Sequence, residues 1–434
     1  MGRPSVFDII ADSHVLVLRP AGGITINNLR PTLTQRFRRL GRCTACAGSC
    51  STSPSKERLQ SPHMPCMTDH DNLWRFLGRE QKPFDDSAFR PLVQGKHVLI
   101  TGAAGFIGSA LARTIGRLSA ERLVLLDIAE TGLHELASDL DVQVTHDLIV
   151  GDVCDADLLA DTFEKHRPQI VLHAGACKHV SLMEANPFAA ARTNVMGTHQ
   201  IARAASAFGS EKMVLISTDK AVAPIGIMGA TKRIAELIVL GNCSPTQMYA
   251  IRLGNVIGSR GSMVPTLQHQ IAQGGPITIT DVACTRFFIS LREAVQRILS
   301  ALLLDRSSSI LVSDIAQPYR IVDLARFLVE SAGMDHDKVA CRVTGLHPGE
   351  KLSEQMTSSA EMLATTGIHG LRKVLHSPSL PPGRLTEAIE EMDAAFHPRN
   401  LDKLLRAICS VVPDYVPSAS IQQQISDQFA ERLT

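Results

Sequence analysis

A run of small residues, Gly102-Ala103-Ala104-Gly105-Phe106-Ile107-Gly108, constrains this chain more than any other stretch. The apolar run His97-Val98-Leu99-Ile100-Thr101 precedes it and an apolar-periodic segment through Leu118 follows, so the glycines fall on a strand-to-helix turn. Glycines spaced G-x-x-G-x-x-G at such a turn let the backbone approach a pyrophosphate, which the helix N-terminus then stabilises. A second strand, Leu123 to Leu126, ends in Asp127, about 20 residues beyond the glycines, where an acid can hydrogen-bond a ribose 2′-hydroxyl. Dinucleotide binding is therefore expected through Gly102, Gly105, Phe106, Ile107, Gly108 and Asp127. An acid at 127 repels a 2′-phosphate, and Ile128, Ala129 and Glu130 bring no arginine, so NAD is expected ahead of NADP.

Strand and helix patterns keep alternating, which predicts an α/β fold with a doubly wound parallel sheet. A third strand, Asp147 to Val150, ends at Gly151-Asp152-Val153. Asp152, with Val153 beside it, is a candidate for the adenine amino group; its plainer role is to cap a helix starting near Asp155. A fourth strand, Gln169 to Leu172, ends in His173-Ala174-Gly175-Ala176, where small residues such as Ala174 leave room for a nicotinamide ribose. The fifth, Met213 to Ile216, breaks into Ser217-Thr218-Asp219-Lys220. Ligands gather outside the carboxyl ends of strands in such sheets, and an acid beside an amine there suits proton transfer. Taken alone, Asp219 and Lys220 are more often solvated loop charges. The helix that follows changes that, because Met228 and Lys232 are four apart and share one face.

Composition excludes several classes. A net charge of +1 gives no field to draw nucleic acid, and no apolar run approaches the roughly 18 residues of a membrane span. Four of ten cysteines lie in the first 66 residues. Cys43-x-x-Cys46-x-x-x-Cys50 has no nearby fourth ligand, so no metal site is expected. The other six are scattered singly, which suits reduced thiols in a cytoplasmic enzyme. Residues 1–66 are arginine-rich and aperiodic, and read as a disordered leader or an over-extended start ahead of Met64 or Met67.

The glycine turn, Gly151-Asp152-Val153, His173 through Val180, Asn194-Val195-x-Gly197-Thr198, Ser217-Thr218-Asp219-Lys220 and Lys232 together resemble an extended short-chain dehydrogenase/reductase. Arg252-Leu253-Gly254-Asn255-Val256-x-Gly258-Ser259-Arg260-Gly261-Ser262, Thr285-Arg286-Phe287-Phe288 and Gly349-Glu350-Lys351-Leu352 narrow the resemblance to CapD-type polysaccharide-biosynthesis proteins, a group that includes UDP-N-acetylglucosamine 4,6-dehydratases. The resemblance implies a Rossmann domain at 96–262 behind a lead-in at 67–95. It further implies a mainly substrate-binding part at 263–372, with some strands returning to the main sheet, and C-terminal helices and a loose tail at 373–434. By the same resemblance the partner is a UDP-sugar, the chain forms a homo-oligomer, Lys220 is the C5 base and Asp219 the acid that expels the 6-hydroxyl. Both are then expected in unusual protonation states, burial raising the aspartate's pKa and lowering the lysine's. Lys232 holds the nicotinamide ribose, and Thr218 meets the sugar 4-hydroxyl. Met228 stands where the wider superfamily has tyrosine; it has no ionisable proton, so a water or the Lys232 amine is expected to take the C4 proton. Arg260 and Arg286 are candidates for the diphosphate, Asn255 for the diphosphate or sugar, Lys178 for the sugar, and Glu350 for the nucleotide or the cap of a helix after Pro348-Gly349. A 4-epimerase and a non-catalytic dinucleotide sensor remain the alternatives.

Overall fold

The computed structural model describes residues 73–79, 84–241, 244–305, 308–314, 317–335, 338–375 and 380–431. The leader at 1–66, with its cysteine cluster, lies outside them.

Nine strands build the main sheet among the described residues: β1 (His97–Thr101), β2 (Arg122–Asp127), β3 (His146–Val150), β4 (Ile170–His173), β5 (Lys212–Thr218), β6 (Gln247–Leu253), β7 (Ser309–Ser313), β8 (Leu363–Thr365) and β9 (Leu371–Val374). Their order is β8-β9-β7-β6-β5-β4-β1-β2-β3. From β3 to β7 every pairing is parallel, and β9 and β8 add an antiparallel edge. The winding reverses between β1 and β4, where Thr101 pairs with His173. A crevice opens at such a switch point, outside the carboxyl ends of the strands.

Continuous apolar runs in β1, β2 and β4 are buried along nearly their whole length, as strands covered on both faces must be. On one face the helix Phe106–Arg117 packs Leu111 and Ile115 against β1 and β2. On the other, the helix Ile227–Leu240 is buried almost all round, because Arg384–Phe396 and Leu401–Val411 close over it with Met392, Leu404 and Ile408. That second layer explains why the 227–240 sequence carries no polar stripe.

A smaller core gathers Val264, Leu267, Phe288, Ile321, Leu324 and Leu328. Three short ladders frame it: Asn255–Val256 with Phe288–Ile289, Thr285–Arg286 with Tyr319–Arg320, and Ile277–Ile279 with Cys341–Val343. The lead-in serves both cores. Leu73 and Leu77 enter the small one, where the Tyr319 hydroxyl donates to Leu77 O at 2.6 Å, while Phe89 and Val93 enter the large one.

Two sequence expectations fail. No helix follows Pro348-Gly349; Glu350 instead closes a turn by accepting the His347 N–H at 3.2 Å. The tail is not loose over 419–431, where Ala419–Glu431 forms a helix that buries Ile421. Its polar sequence hid a single anchoring position. No helix among the described residues is long and apolar enough to cross a membrane. Cys154, Cys177, Cys284, Cys341 and Cys409 are free thiols.

Candidate active site

The glycine turn is as tight as its spacing suggests. Gly102 sits at φ +65°, and a Cβ there would lie 2.5 Å from Gly175 N on the loop after β4. A Cβ on Gly108 would lie 2.1 Å from Gly102 O. The cap residue Gly105 brings no side chain to the start of the helix Phe106–Arg117. Asp127 ends β2 and turns back on this loop, its Oδ2 accepting the Ala104 N–H at 2.9 Å and its Oδ1 that of Ala129 at 2.9 Å. Asp152 Oδ1 accepts the Cys154 N–H at 2.9 Å, and the cap of the next helix is Asp155, so the alternative capping role falls to the neighbouring acid. A narrow backbone cradle at a helix N-terminus with an acid behind it fits a nicotinamide dinucleotide.

Further along the edge, His173 is buried between Thr101 and Thr198. The Thr198 hydroxyl donates to Asn194 O at 2.7 Å, so it must accept from His173 Nε2, and Nδ1 then accepts from Thr101 at 2.6 Å. Burial, with Lys232 nearby, lowers the imidazole pKa to about 3, and the ring stays neutral. Asn194, on a stretch of π-helix, clamps the Ala174–Lys178 loop: it accepts the Cys177 N–H at 2.8 Å and donates to Cys177 O at 3.1 Å and to Thr231 Oγ1 at 3.0 Å.

At the carboxyl end of β5, Asp219 is fully buried. Its Oδ1 accepts from the Thr218 hydroxyl at 2.9 Å and from Lys220 Nζ at 2.9 Å. Its Oδ2 has no hydrogen-bond partner among the described residues. Lys220 Nζ also donates to Asn255 Oδ1 at 2.9 Å and lies 3.6 Å from Glu354 Oε1. Here the structure corrects the sequence reading of a depressed lysine. Burial pulls the Lys220 pKa down, but the carboxylates of Asp219 and Glu354 outweigh it and hold the amine above the ordinary lysine value. Asn255 thus serves Lys220 as a third partner.

The other amine behaves differently. Lys232 is 5% exposed, donates to Ile216 O at 2.6 Å, and falls to about 8 because burial is only partly offset by Glu236 and Cys177. One turn on, Glu236 accepts two bonds from Arg252, at 2.7 and 2.8 Å, and one from Ser217 Oγ at 2.7 Å. Arg252 also binds Glu361 at 2.6 and 2.9 Å. This buried network locks the helix carrying Lys232 to β5, β6 and the 356–361 loop. Met228 is 3% exposed and lines a small pocket with Lys220, Gly349, Lys351 and Glu354.

The candidate substrate residues separate into two groups. Lys178 and Arg260 are exposed and adjacent, Lys178 Nζ donating to Arg260 O at 2.7 Å. Arg286 is buried; it pairs with Glu350 at 2.7 Å and donates to Thr285 O and Leu352 O at 2.8 and 3.1 Å. Glu350 therefore holds Arg286. Two residues escaped the sequence reading. Glu354 lies in no periodic segment, and its only signal is its place just past Gly349-Glu350-Lys351-Leu352. Glu184 caps the helix Ile227–Leu240 by accepting the Ile227 N–H at 2.6 Å from 43 residues away, which no local pattern reveals.

A doubly wound sheet with a glycine turn at its first crossover, and an acid–amine pair at the edge of its fifth strand, is the fold of an extended short-chain dehydrogenase/reductase. The family described as "Polysaccharide biosynthesis protein" matches residues 98–374, and the chain belongs to it. It is similar to the "Probable polysaccharide biosynthesis protein EpsC" of Bacillus subtilis, 40% identical over 294 residues, 66% of this chain and 49% of that one. The "UDP-N-acetylglucosamine 4,6-dehydratase (inverting)" of Campylobacter jejuni is 32% identical over 276 residues, 62% of this chain and 79% of that one. A "UDP-glucose 4-epimerase" of Rickettsia typhi is also 32% identical, over 64% of this chain and 82% of that one. The chain spans about half the length of the EpsC protein it matches. Among solved structures, Pen from Bacillus thuringiensis superposes with a TM-score of 0.60 at 26% identity, covering 66% of this chain and 89% of that one. DesIV, the dTDP-glucose 4,6-dehydratase from Streptomyces venezuelae, gives 0.55 at 22% over 60% and 88%, a likeness of fold.

Proposed function

We propose that the chain is an NAD-dependent nucleotide-sugar 4,6-dehydratase acting on a UDP-N-acetylhexosamine, UDP-N-acetylglucosamine first, in the assembly of a surface polysaccharide. The observation that carries this reading is the Asp219–Lys220 pair. An epimerase inverts C4 and needs neither a base at C5 nor an acid at O6, whereas elimination of water needs both.

On this reading Gly102, Gly105, Phe106, Ile107, Gly108, Asp127, Asp152, Val153, Ala174 and Lys232 hold the dinucleotide, with NAD preferred to NADP because Asp127 is acidic. When bound, the cofactor supplies a site that takes a hydride from sugar C4 and returns one to C6. The chain supplies the rest. In the resting pair Lys220 is an ammonium and Asp219 a carboxylate, 2.9 Å apart. Moving one proton across that bond leaves an amine to remove the C5 proton and a carboxylic acid to protonate the departing 6-hydroxyl. Thr218 orients the acid through Oδ1, which leaves the partnerless Oδ2 to meet O6. Lys178 and Arg260 offer their charge to the diphosphate, and Arg286 with Glu350 sets the field around Lys220 from behind.

Incubation with UDP-N-acetylglucosamine and NAD, followed by NMR of the sugar, tests this. A 4-keto-6-deoxy product is expected. A galacto product indicates the epimerase, and tight cofactor binding without turnover indicates a sensor.

A further inference from the structure

Oxidising a secondary alcohol frees a proton from the hydroxyl as the hydride leaves. Elimination across C5–C6 then takes one proton from C5 and gives one to O6. Asp219 and Lys220 cover the second step, and the first still needs an acceptor. Met228 has no basic atom. Lys232, at about 8, is about nine-tenths protonated at pH 7, and it does not line the pocket that Met228 shares with Lys220.

Glu354 does line that pocket. Its side chain is 3% exposed, and its Oε2 is buried with no hydrogen-bond partner among the described residues. Its Oε1 lies 3.6 Å from Lys220 Nζ and its Oε2 lies 3.6 Å from Lys351 Nζ. Lys351 is itself anchored, donating to Val222 O at 2.6 Å. The charged groups around Glu354 are therefore Lys220 and Lys351 directly, with Asp219 and Arg286 behind Lys220. A buried carboxylate with an open lone pair lines the pocket beside the acid–amine pair, where it can accept a proton from a ligand and has Lys220 within reach to pass it on.

Building on the dehydratase reading, we infer that Glu354 is a further catalytic residue, the carboxylate that accepts the sugar 4-hydroxyl proton and returns it to the reaction through Lys220 and Asp219. The balance closes. As the C4–H hydride departs, the O–H bond breaks and its proton goes to Glu354. Lys220 gives its extra proton to Asp219, and the resulting amine takes the C5 proton while Asp219 protonates the 6-hydroxyl, which leaves as water. Lys220 returns a proton to C5 as C6 is reduced. Glu354 then passes its proton to Lys220, which restores the starting ion pair. One water leaves, and no proton is borrowed from solvent.

The test compares the wild type with Glu354→Gln and Glu354→Asp. Cofactor reduction is followed in a single turnover with UDP-N-acetylglucosamine, by the absorbance of reduced nicotinamide across pH 5.5–9. Thermal unfolding and UDP binding by calorimetry serve as controls. Glu354→Gln is expected to fold and bind UDP as the wild type does, and to slow cofactor reduction by about 100-fold or more. Glu354→Asp is expected to regain at least about tenfold of the rate. A folded Glu354→Gln that reduces cofactor at the wild-type rate overturns the role, as does an Asp variant no better than Gln. If Gln fails to fold, the Asp variant decides: a folded Asp variant that reduces cofactor about 100-fold or more below the wild-type rate overturns the role. A wild type that makes no 4-keto-6-deoxy sugar overturns the dehydratase reading and this inference with it, whereas the variant results bear on Glu354 alone.

Discussion

Lys232 offers a prediction in which stability and activity move in opposite directions. Its folded-state pKa of about 8 lies below the ordinary value of 10.5, so the unfolded chain binds this proton more tightly. Below pH 8 both states are protonated and the full cost of burying the charge is present. Between pH 8 and 10.5 the folded state sheds its proton first, and stability rises with pH. Above 10.5 the cost is gone. At about 1.4 kcal/mol per tenfold, the penalty is about 3 kcal/mol at pH 7 and falls to about 1 kcal/mol at pH 10. Lys232→Met removes it, along with the bond to Ile216 O, worth about 1 kcal/mol. The variant should be about 2 kcal/mol more stable than the wild type at pH 7 and about equal to it at pH 10, while losing turnover. Urea unfolding of both proteins at pH 7, 8, 9 and 10 isolates the group, because surface titrations cancel in the difference. A stability difference that stays flat within about 0.5 kcal/mol over this range refutes the buried, destabilised amine.

Asp219→Asn should bind NAD and UDP and keep its fold, yet lose water elimination by about 100-fold or more, seen as absence of the 4-keto-6-deoxy signal by NMR. Gly108→Ala drives a methyl to 2.1 Å from Gly102 O, so calorimetric NAD binding should vanish and the melting temperature should fall. Arg252→Met strips Glu236 and Glu361 of their main partner and should cost about 3–5 kcal/mol in chemical unfolding. For Glu236, burial acts to raise the pKa, but Arg252 outweighs it and holds the carboxyl at about 2. Its contribution is present above pH 4.5 and lost as pH falls toward 2, so acid unfolding of the wild type should be steep there and that of Arg252→Met shallower.

The succession of parallel strands along the chain could be read from the sequence because each element carries its own signal. The β-branched runs at 97–101 and 123–126, the glycines between them and Asp127 all have local reasons to be where they are. Met228 and Lys232 could be placed on one face by spacing alone. The protonation state of Lys220 could not, since besides the adjacent Asp219 it depends on Glu354, 134 residues away, which only folding brings near. Nothing local showed that Glu350 lies across from Arg286, the candidate for the diphosphate. The tail was misjudged for a related reason: a mostly polar helix held by Ile421 and a few long-range bonds carries too weak a periodicity to announce itself.

Glu184 has the widest reach of these long-range contacts. Its carboxylate holds the Ile227 N–H and the Ser418 hydroxyl, the Gln424 amide donates to its carbonyl at 2.8 Å, and a Cβ on Gly349 would lie 2.9 Å from it. One carboxylate therefore rivets the entry of the lysine-bearing helix to the start of the C-terminal helix, and a chain cut short before residue 418 leaves that anchor half-fastened.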